Sequence, residues 1–301
     1  MVASYPHFCC HGARSLWAVV LAGGDGRRLS EVARARYGYA RPKQYCDFGC
    51  GCTLLARTIR RARRLVPDER IVVVTRSDHH VWAHECLAPF PRVHLIEQPA
   101  NRGTTPGLLL SLFAVMEEDP SARALVLPSD HVVADEARFA DVLRSAAHSL
   151  LEDPDPVLLL GAPPSDAEGD YGWILPLGVP DERWPRVIAF REKPPPAEAR
   201  RLVARGALRN TFVMAAEPRS LVTLAMQHVP GWYRGLVLSA RNPETIAEAY
   251  ETLPSSDFSR DVLERARCEL RVVPTGEVGW DDIGTPDRLA RAMERESAAT
   301  G

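Results

Sequence analysis

Short apolar runs alternate with longer amphipathic ones through the first half of this chain, and that alternation restricts the fold more than any other feature. Leu16–Ala22, Arg70–Thr75, Arg92–Ile96, Ala124–Leu127 and Val157–Leu160 are short and rich in Val, Leu and Ile. Between them, Thr53–Val66, Pro106–Glu118 and Asp135–Leu151 carry apolar residues at helical spacing. In the first of these, Leu54, Leu55, Thr58, Ile59, Ala62 and Leu65 form one stripe and the other face is arginine. No aromatic residues interleave with the arginines, so that face reads as a solvated surface and not as an RNA-binding one. Strands and helices in this order require a largely parallel sheet covered on both faces. The expected class is therefore α/β, with a Rossmann-like mixed, mostly parallel sheet and helices on both faces.

After the turn Asp153-Pro-Asp-Pro156 the pattern changes. Tyr171–Leu177 and Arg186–Glu192 read as strands of a small inserted, partly antiparallel subregion. Pro194-Pro-Pro196 then starts the helix Ala197–Arg205. A strand Thr211–Ala215, a strand Glu269–Val273 and a helix Pro286–Glu296 follow. Residues 1–15 read as a leader and 16–301 as one domain.

The apolar share, 46%, is enough for a core, and a net charge of -2 leaves no electrostatic footprint for nucleic acid. No apolar run approaches the roughly 20 residues that span a bilayer, so no membrane partner and a cytoplasmic location are expected. Cys46, Cys50 and Cys52 crowd one loop, and Cys9-Cys10-His11 lies in the leader. They lack the paired CxxC spacing of zinc ribbons, and reduced thiols are the simpler reading.

The segment Leu21-Ala-Gly-Gly-Asp-Gly-Arg-Arg-Leu29 follows directly on the first strand. Its glycines allow a tight turn and a close backbone approach to phosphate, and Arg27 and Arg28 add guanidinium donors. Alone, it is equally readable as a structural turn. It is not a dinucleotide fingerprint, because Leu29 stands where G-x-G-x-x-G needs glycine, and no Walker sequence exists in the chain. Lys43, in Arg41-Pro-Lys-Gln-Tyr45, brings a point charge suited to the same anion. Leu127-Pro-Ser-Asp-His131 ends the fourth strand, where ligands of open α/β sheets collect, and Asp130 is suited to Mg²⁺. His131 reads as structural. Phe190-Arg-Glu-Lys-Pro194 sets a carboxylate beside an ammonium, and Gly279-Trp-Asp-Asp-Ile-Gly284 offers Asp281 and Asp282. Neither a nucleophile elbow nor HExxH is present, which sets hydrolase chemistry aside.

In this order the segments resemble the sugar-1-phosphate nucleotidyltransferases, and most of all the mannose-1-phosphate guanylyltransferases. Leu21–Leu29 is similar to the family's LAGGxGTRL loop, with Arg27 in place of Thr. Pro42-Lys43-Gln44, Leu127–His131 and Phe190–Pro194 match its PKQ, LPxDH and FxEKP segments. Gln98–Pro106 approximates EPxxRNTAP, with Gly103 in place of Asn, and Gly169–Ile174 resembles TGYGYI. Asn210 aligns with the asparagine of WNSG, with Arg209 for Trp and Thr211-Phe212 for Ser-Gly. Trp280–Gly284 resembles WSDVG.

The resemblance implies transfer of a nucleoside monophosphate from a triphosphate, GTP favoured, to a hexose 1-phosphate, mannose 1-phosphate favoured, with Mg²⁺. It implies nucleotide binding by Leu21, Ala22, Gly23, Gly24, Gly26, Arg28, Lys43, Gln98, Arg102, Thr104 and Asp130. Metal would lie on Asp130 and Asp282, and sugar phosphate on Gly172, Glu192, Lys193 and Asn210. The catalytic set is Arg28, Lys43, Asp130, Lys193 and Asp282. Another base or sugar, and a non-catalytic sugar-nucleotide sensor, are the alternatives. A glycosyltransferase would normally show Asp-x-Asp where this chain has Ser-Asp-His. A small homodimer is compatible with the sequence.

Overall fold

The computed structural model describes residues 15–49, 51–165, 170–178, 183–239, 244–266 and 269–300, without the side chains of residues 27, 239, 244 and 295–300. The leader 1–14, Cys50, Gly169 and the Arg27 side chain lie outside the described residues. Ser15 is buried and donates to Asp119, so the folded part includes the last residue assigned to the leader.

The first five expected strands are present as β1 (Leu16–Leu21), β2 (Ile71–Arg76), β3 (His94–Gln98), β4 (Arg123–Pro128) and β6 (Val157–Ala162), with the two-residue β5 (Val132–Val133) between the last two. The inserted subregion consists of β7 (Gly172–Pro176) and β8 (Val187–Glu192), followed by β9 (Leu208–Ala216) and β10 (Leu270–Pro274), with a two-residue β11 (Trp280–Asp281). The sheet order is β10-β6-β9-β4-β1-β2-β3, with β7 paired to β8 and β9. β1, β2, β3 and β4 run parallel, and β9 is antiparallel to both β4 and β6. Thr211–Ala215 is therefore the middle of a longer strand that splices the two parallel halves.

The helices are α1 (Ser30–Tyr37), α2 (Leu54–Ala62), α3 (His80–Leu87), α4 (Thr104–Glu118), α5 (Glu136–Glu152), α6 (Pro196–Ala204), α7 (Pro218–His228), α8 (Pro230–Ser239), α9 (Glu244–Thr252) and α10 (Pro286–Thr300). Both faces of the sheet are covered, which the period of two along each strand makes visible. In β1, Ala18 and Val20 enter the core shared with α2, α3, α5 and α6, whereas Trp17 and Val19 enter the core shared with α4, α7, α8 and α9. The same division holds for Leu125 and Leu127 against Ala124 and Val126 in β4. A one-residue slip of either strand would exchange the two sets.

The arginine face of α2 is only partly solvated, contrary to the expectation. Arg60 and Arg64 are exposed, but Arg61 is 3% exposed and bonds both oxygens of Glu136 on α5, at 2.8 and 2.7 Å. Arg57 reaches the same carboxylate at 3.4 Å and the Val133 carbonyl at 3.1 Å. Periodicity cannot foresee a carboxylate arriving from a helix far along the chain. Burial alone would raise the Glu136 carboxyl, but the Arg61 hydrogen bonds and the charges of Arg61 and Arg57 outweigh it and hold the group below its ordinary value of 4.5.

Replacing Glu136 with Gln is expected to lower the unfolding free energy at neutral pH by about 2–3 kcal/mol in urea titrations. A depressed folded-state pKa gives stability that is present above the ordinary value and is lost as pH falls through the lowered one. The gap between E136Q and wild type should therefore close in acid, below 4.5.

Candidate functional site

The carboxyl ends of β1, β2, β3 and β4 open onto a cleft of about 440 Å³, in the position expected for a ligand of an open α/β sheet. The glycine loop forms one wall. A Cβ on Gly23 would stand 2.5 Å from the Gln98 amide nitrogen, and one on Gly26, whose φ is 63°, would stand 2.5 Å from the Lys43 backbone nitrogen. Gly24 has open space beside it. Gln44 donates to the carbonyls of Ala22 and Gly24 at 2.9 and 2.8 Å, and the Tyr45 hydroxyl to Ala22 at 3.1 Å. The Pro-Lys-Gln segment thus fixes the loop's shape. Asp25 would repel a polyanion, but Arg76 pairs with it.

Lys43 lies between the two segments that carry the predicted metal carboxylates. Its ammonium is 3.1 Å from Asp130 and donates to the Asp282 carbonyl at 2.8 Å. Burial opposes ionisation of Asp130, but the Lys43 charge outweighs it and holds the carboxyl below its ordinary range. β5 and β11 pair antiparallel, Val132 with Asp281 and Val133 with Trp280, and this small ladder brings the two carboxylate segments together. Asp281 is buried and its carboxylate accepts from the Ile283 N–H at 2.8 Å, so Asp282 is the one that lines the cleft. Asp282 Oδ1 accepts from Arg288 at 3.0 Å and from the Gly284 N–H at 3.2 Å. Two carboxylates lining one cleft form a hard-oxygen donor set that fits Mg²⁺.

The opposite wall comes from the inserted subregion. Gly172 pairs with Glu192 across β7 and β8. A Cβ there would stand 2.6 Å from the Glu192 carboxylate and 3.1 Å from Asn210 Cβ, so only glycine lets the three share this wall. Burial pushes the Glu192 carboxyl up, against the pull of Lys193, whose ammonium is 3.4 Å away. Among the described residues the non-glycine positive φ angles fall at Lys193 (48°), Phe212 (56°) and Ile283 (40°). All three are in or next to the site, where such strain concentrates. Phe212 stands where the resembled pattern has glycine, its N–H bonds to Asn210 Oδ1 at 3.0 Å, and it lines the cleft.

Of the sequence-predicted residues, Leu21, Gly23, Gly24, Gln98, Thr104, Asp130, Gly172, Glu192, Lys193, Asn210 and Asp282 line the cleft. Ala22, Gly26 and Lys43 stand directly behind it through the contacts above. Arg28 is half exposed, 3.7 Å from Asp170, itself a lining residue. Arg102 does not line the cleft; its guanidinium donates to the carbonyls of Tyr250 and Glu251. Gly103, at φ 87°, packs where a Cβ would meet the Ser256 carbonyl at 2.2 Å. His131, read as structural, lines the cleft with its ring edge-on to Trp280 at 5.2 Å.

Sequence reasoning missed Arg76, Gln44, Tyr250 and Arg288. Tyr250 donates to Gln98 Oε1 at 3.0 Å. Arg288 is 2% exposed, and its guanidinium lies 4.3 Å from the Tyr171 ring centroid. Arg209, which replaces a tryptophan of the resembled pattern, lies over Tyr171 and Trp280 at 5.2 and 5.3 Å. Its guanidinium thus makes cation–π contacts with both rings. Burial pushes the Cys46 thiol up to about 11, and it donates to the Pro42 carbonyl, a protonated structural role.

The family model described as Nucleotidyl transferase matches residues 17–298. A crystal structure described as mannose-1-phosphate geranyltransferase from Thermus thermophilus superimposes with a TM-score of 0.81 at 30% identity, covering 93% of this chain and 79% of that one. Mannose-1-phosphate guanylyltransferase of Escherichia coli K12 is 29% identical over 286 residues, 90% of this chain and 58% of the relative. Alginate biosynthesis protein AlgA of Pseudomonas aeruginosa is 27% identical over 286 residues, 89% and 56% respectively. The chain thus spans a little over half the length of these curated relatives.

Phe212 offers a direct measure of the strain held at the site. Phe212→Gly and Phe212→Ala both remove the ring, but only glycine relieves the positive φ. The glycine variant should be the more stable of the two by about 1 kcal/mol in urea denaturation, the reverse of the usual order of these residues.

Proposed function

The chain belongs to the nucleotidyl transferase family, and on that premise we propose that it joins a nucleoside triphosphate to a hexose 1-phosphate, giving an NDP-sugar and pyrophosphate. The observation that carries this reading is the convergence on one cleft of the glycine loop, the Lys43-bridged Asp130 and Asp282, and the Gly172–Glu192–Asn210 wall. One wall suits a triphosphate and the other a hydroxyl-rich ligand. GTP and mannose 1-phosphate are the favoured pair, supported by the names of the relatives and the Pro-Lys-Gln and Trp-Asp-Asp-Ile-Gly segments.

An oxygen of the sugar phosphate attacks the α-phosphorus in line. A P–O bond forms there as the bond to the β-phosphate bridging oxygen breaks, and pyrophosphate leaves with that electron pair. A phosphate monoester has a second pKa near 6 and is largely dianionic at neutral pH, so the step needs no general base. The protein's work is to align two polyanions and neutralise their repulsion. Backbone N–H groups of Gly23–Gly26, with Arg28 and Lys43, hold the triphosphate. Asp130 and Asp282 would hold Mg²⁺, which would supply charge stabilisation during phosphoryl transfer. Lys193 meets the sugar phosphate, and Glu192, Asn210 and the bare Gly172 face the sugar hydroxyls. Arg288 holds one oxygen of Asp282, which leaves the other for the cleft.

Pyrophosphate release with Mg²⁺, measured for several triphosphates against several hexose 1-phosphates, tests the reading. GTP with mannose 1-phosphate is expected to give the highest kcat/KM, and turnover only with another pair would overturn the specificity. Asp130→Asn should lower kcat by at least about a hundredfold while the circular dichroism spectrum is unchanged. An active, folded D130N protein would remove Asp130 from the metal site.

A further inference from the structure

Outside the cleft, three metal-ligating side chains from two elements meet on the surface. His80 and His84 are four residues apart on α3 and so share a helix face, and Glu97 comes from the edge strand β3. Their ligand atoms all lie within 4.8 Å of one another, the one such group of three among the described residues. His80 Nδ1 is 2.7 Å from Glu97 Oε1 and His84 Nε2 is 4.0 Å from the same oxygen. The imidazole centroids are 4.1 Å apart. Both histidines are more than half exposed, which gives an ion a path in.

We propose that His80, His84 and Glu97 bind a divalent transition ion of the zinc class. Two imidazole nitrogens and one carboxylate are the donors of open three-ligand zinc sites, with water completing the tetrahedron. Imidazole nitrogen discriminates against Mg²⁺, which takes oxygen donors, so this site and the carboxylate pair in the cleft select different metals. Bonds of about 2.0–2.1 Å bring ligand atoms to roughly 3.3 Å from one another, within reach of side-chain rotation from the spacing seen. The bound ion ties α3 to β3 beside Gln98, whose amide packs against Gly23 of the glycine loop. It thereby braces the edge of the sheet on the side that carries the cleft.

The test uses the full chain, freed of metal by chelation, in calorimetric titrations with ZnCl₂ and absorption titrations with CoCl₂. Wild type should bind Zn²⁺ with a Kd on the order of micromolar and show Co²⁺ d–d bands without sulfur charge transfer from this site. His84→Ala should weaken binding at least about tenfold, and the His80→Ala/His84→Ala protein should lose the sulfur-free site, with Glu97→Gln intermediate. Zn²⁺ in hundredfold excess over Kd should raise Tm of wild type by about 5 °C and leave the double variant unchanged. Failure of wild type to bind Zn²⁺, or equal affinity and stoichiometry in wild type and double variant, would overturn the proposal. These readouts are independent of nucleotidyl transfer, so that reading can fail without this one.

Discussion

Four stretches of chain that line or back the cleft each place an apolar side chain in the same small core. Leu29 follows the glycine loop, Cys46 follows the Pro-Lys-Gln segment, Val132 follows Asp130, and Ile283 follows Asp282. Together with Ala33, Phe48, Leu54, Leu289 and Ala292 they form a cluster separate from the two that sandwich the sheet. The polar groups of the site gain little net energy from one another, since each trades water for a partner. The apolar anchors provide the force that holds them at contact distance. Ile283 accepts a positive φ of 40° as part of this arrangement, turning Asp282 toward the cleft while its own side chain stays buried.

That core also explains how the cleft can hold its own cations and carboxylates in place before any ligand arrives. Lys43 sits between Asp130 and the Asp282 carbonyl, Arg76 takes up the Asp25 charge, and Arg288 holds Asp282 from behind. The loop and its surroundings are preorganised, so little side-chain entropy is left to lose when a ligand arrives.

Much of this was legible in the sequence, for identifiable reasons. Strands such as Leu16–Leu21 are buried on both faces, which leaves an unbroken apolar run, and the glycine loop follows because a tight backbone has few alternatives to glycine. Asp130, Glu192 and Lys193 were marked by local pattern, Asn210 and the choice of Asp282 over Asp281 by the resemblance, and all five line one cleft. What the sequence could not reveal depends on pairs far apart in the chain. The antiparallel insertion of β9, the β5–β11 ladder, the Arg61–Glu136 clamp and the role of Arg288 all join distant segments. Arg102 is another such case: its guanidinium donates to carbonyls at the end of α9, 148 and 149 residues later in the chain. No membrane-spanning helix is present among the described residues.

The ladder between β5 and β11 has a consequence for how the site comes into being. Asp130, the glycine loop and Lys43 all lie in the first half of the chain. Asp282 arrives only when a segment about 150 residues later docks two backbone positions against Val132 and Val133. During synthesis, a chain emerging N-terminus first exposes the glycine loop, Lys43 and Asp130 long before Asp282 and the core partners Ile283, Leu289 and Ala292 exist. The full set of side chains around the cleft can therefore assemble only after the C-terminal segment has been made, through a ladder two residues wide.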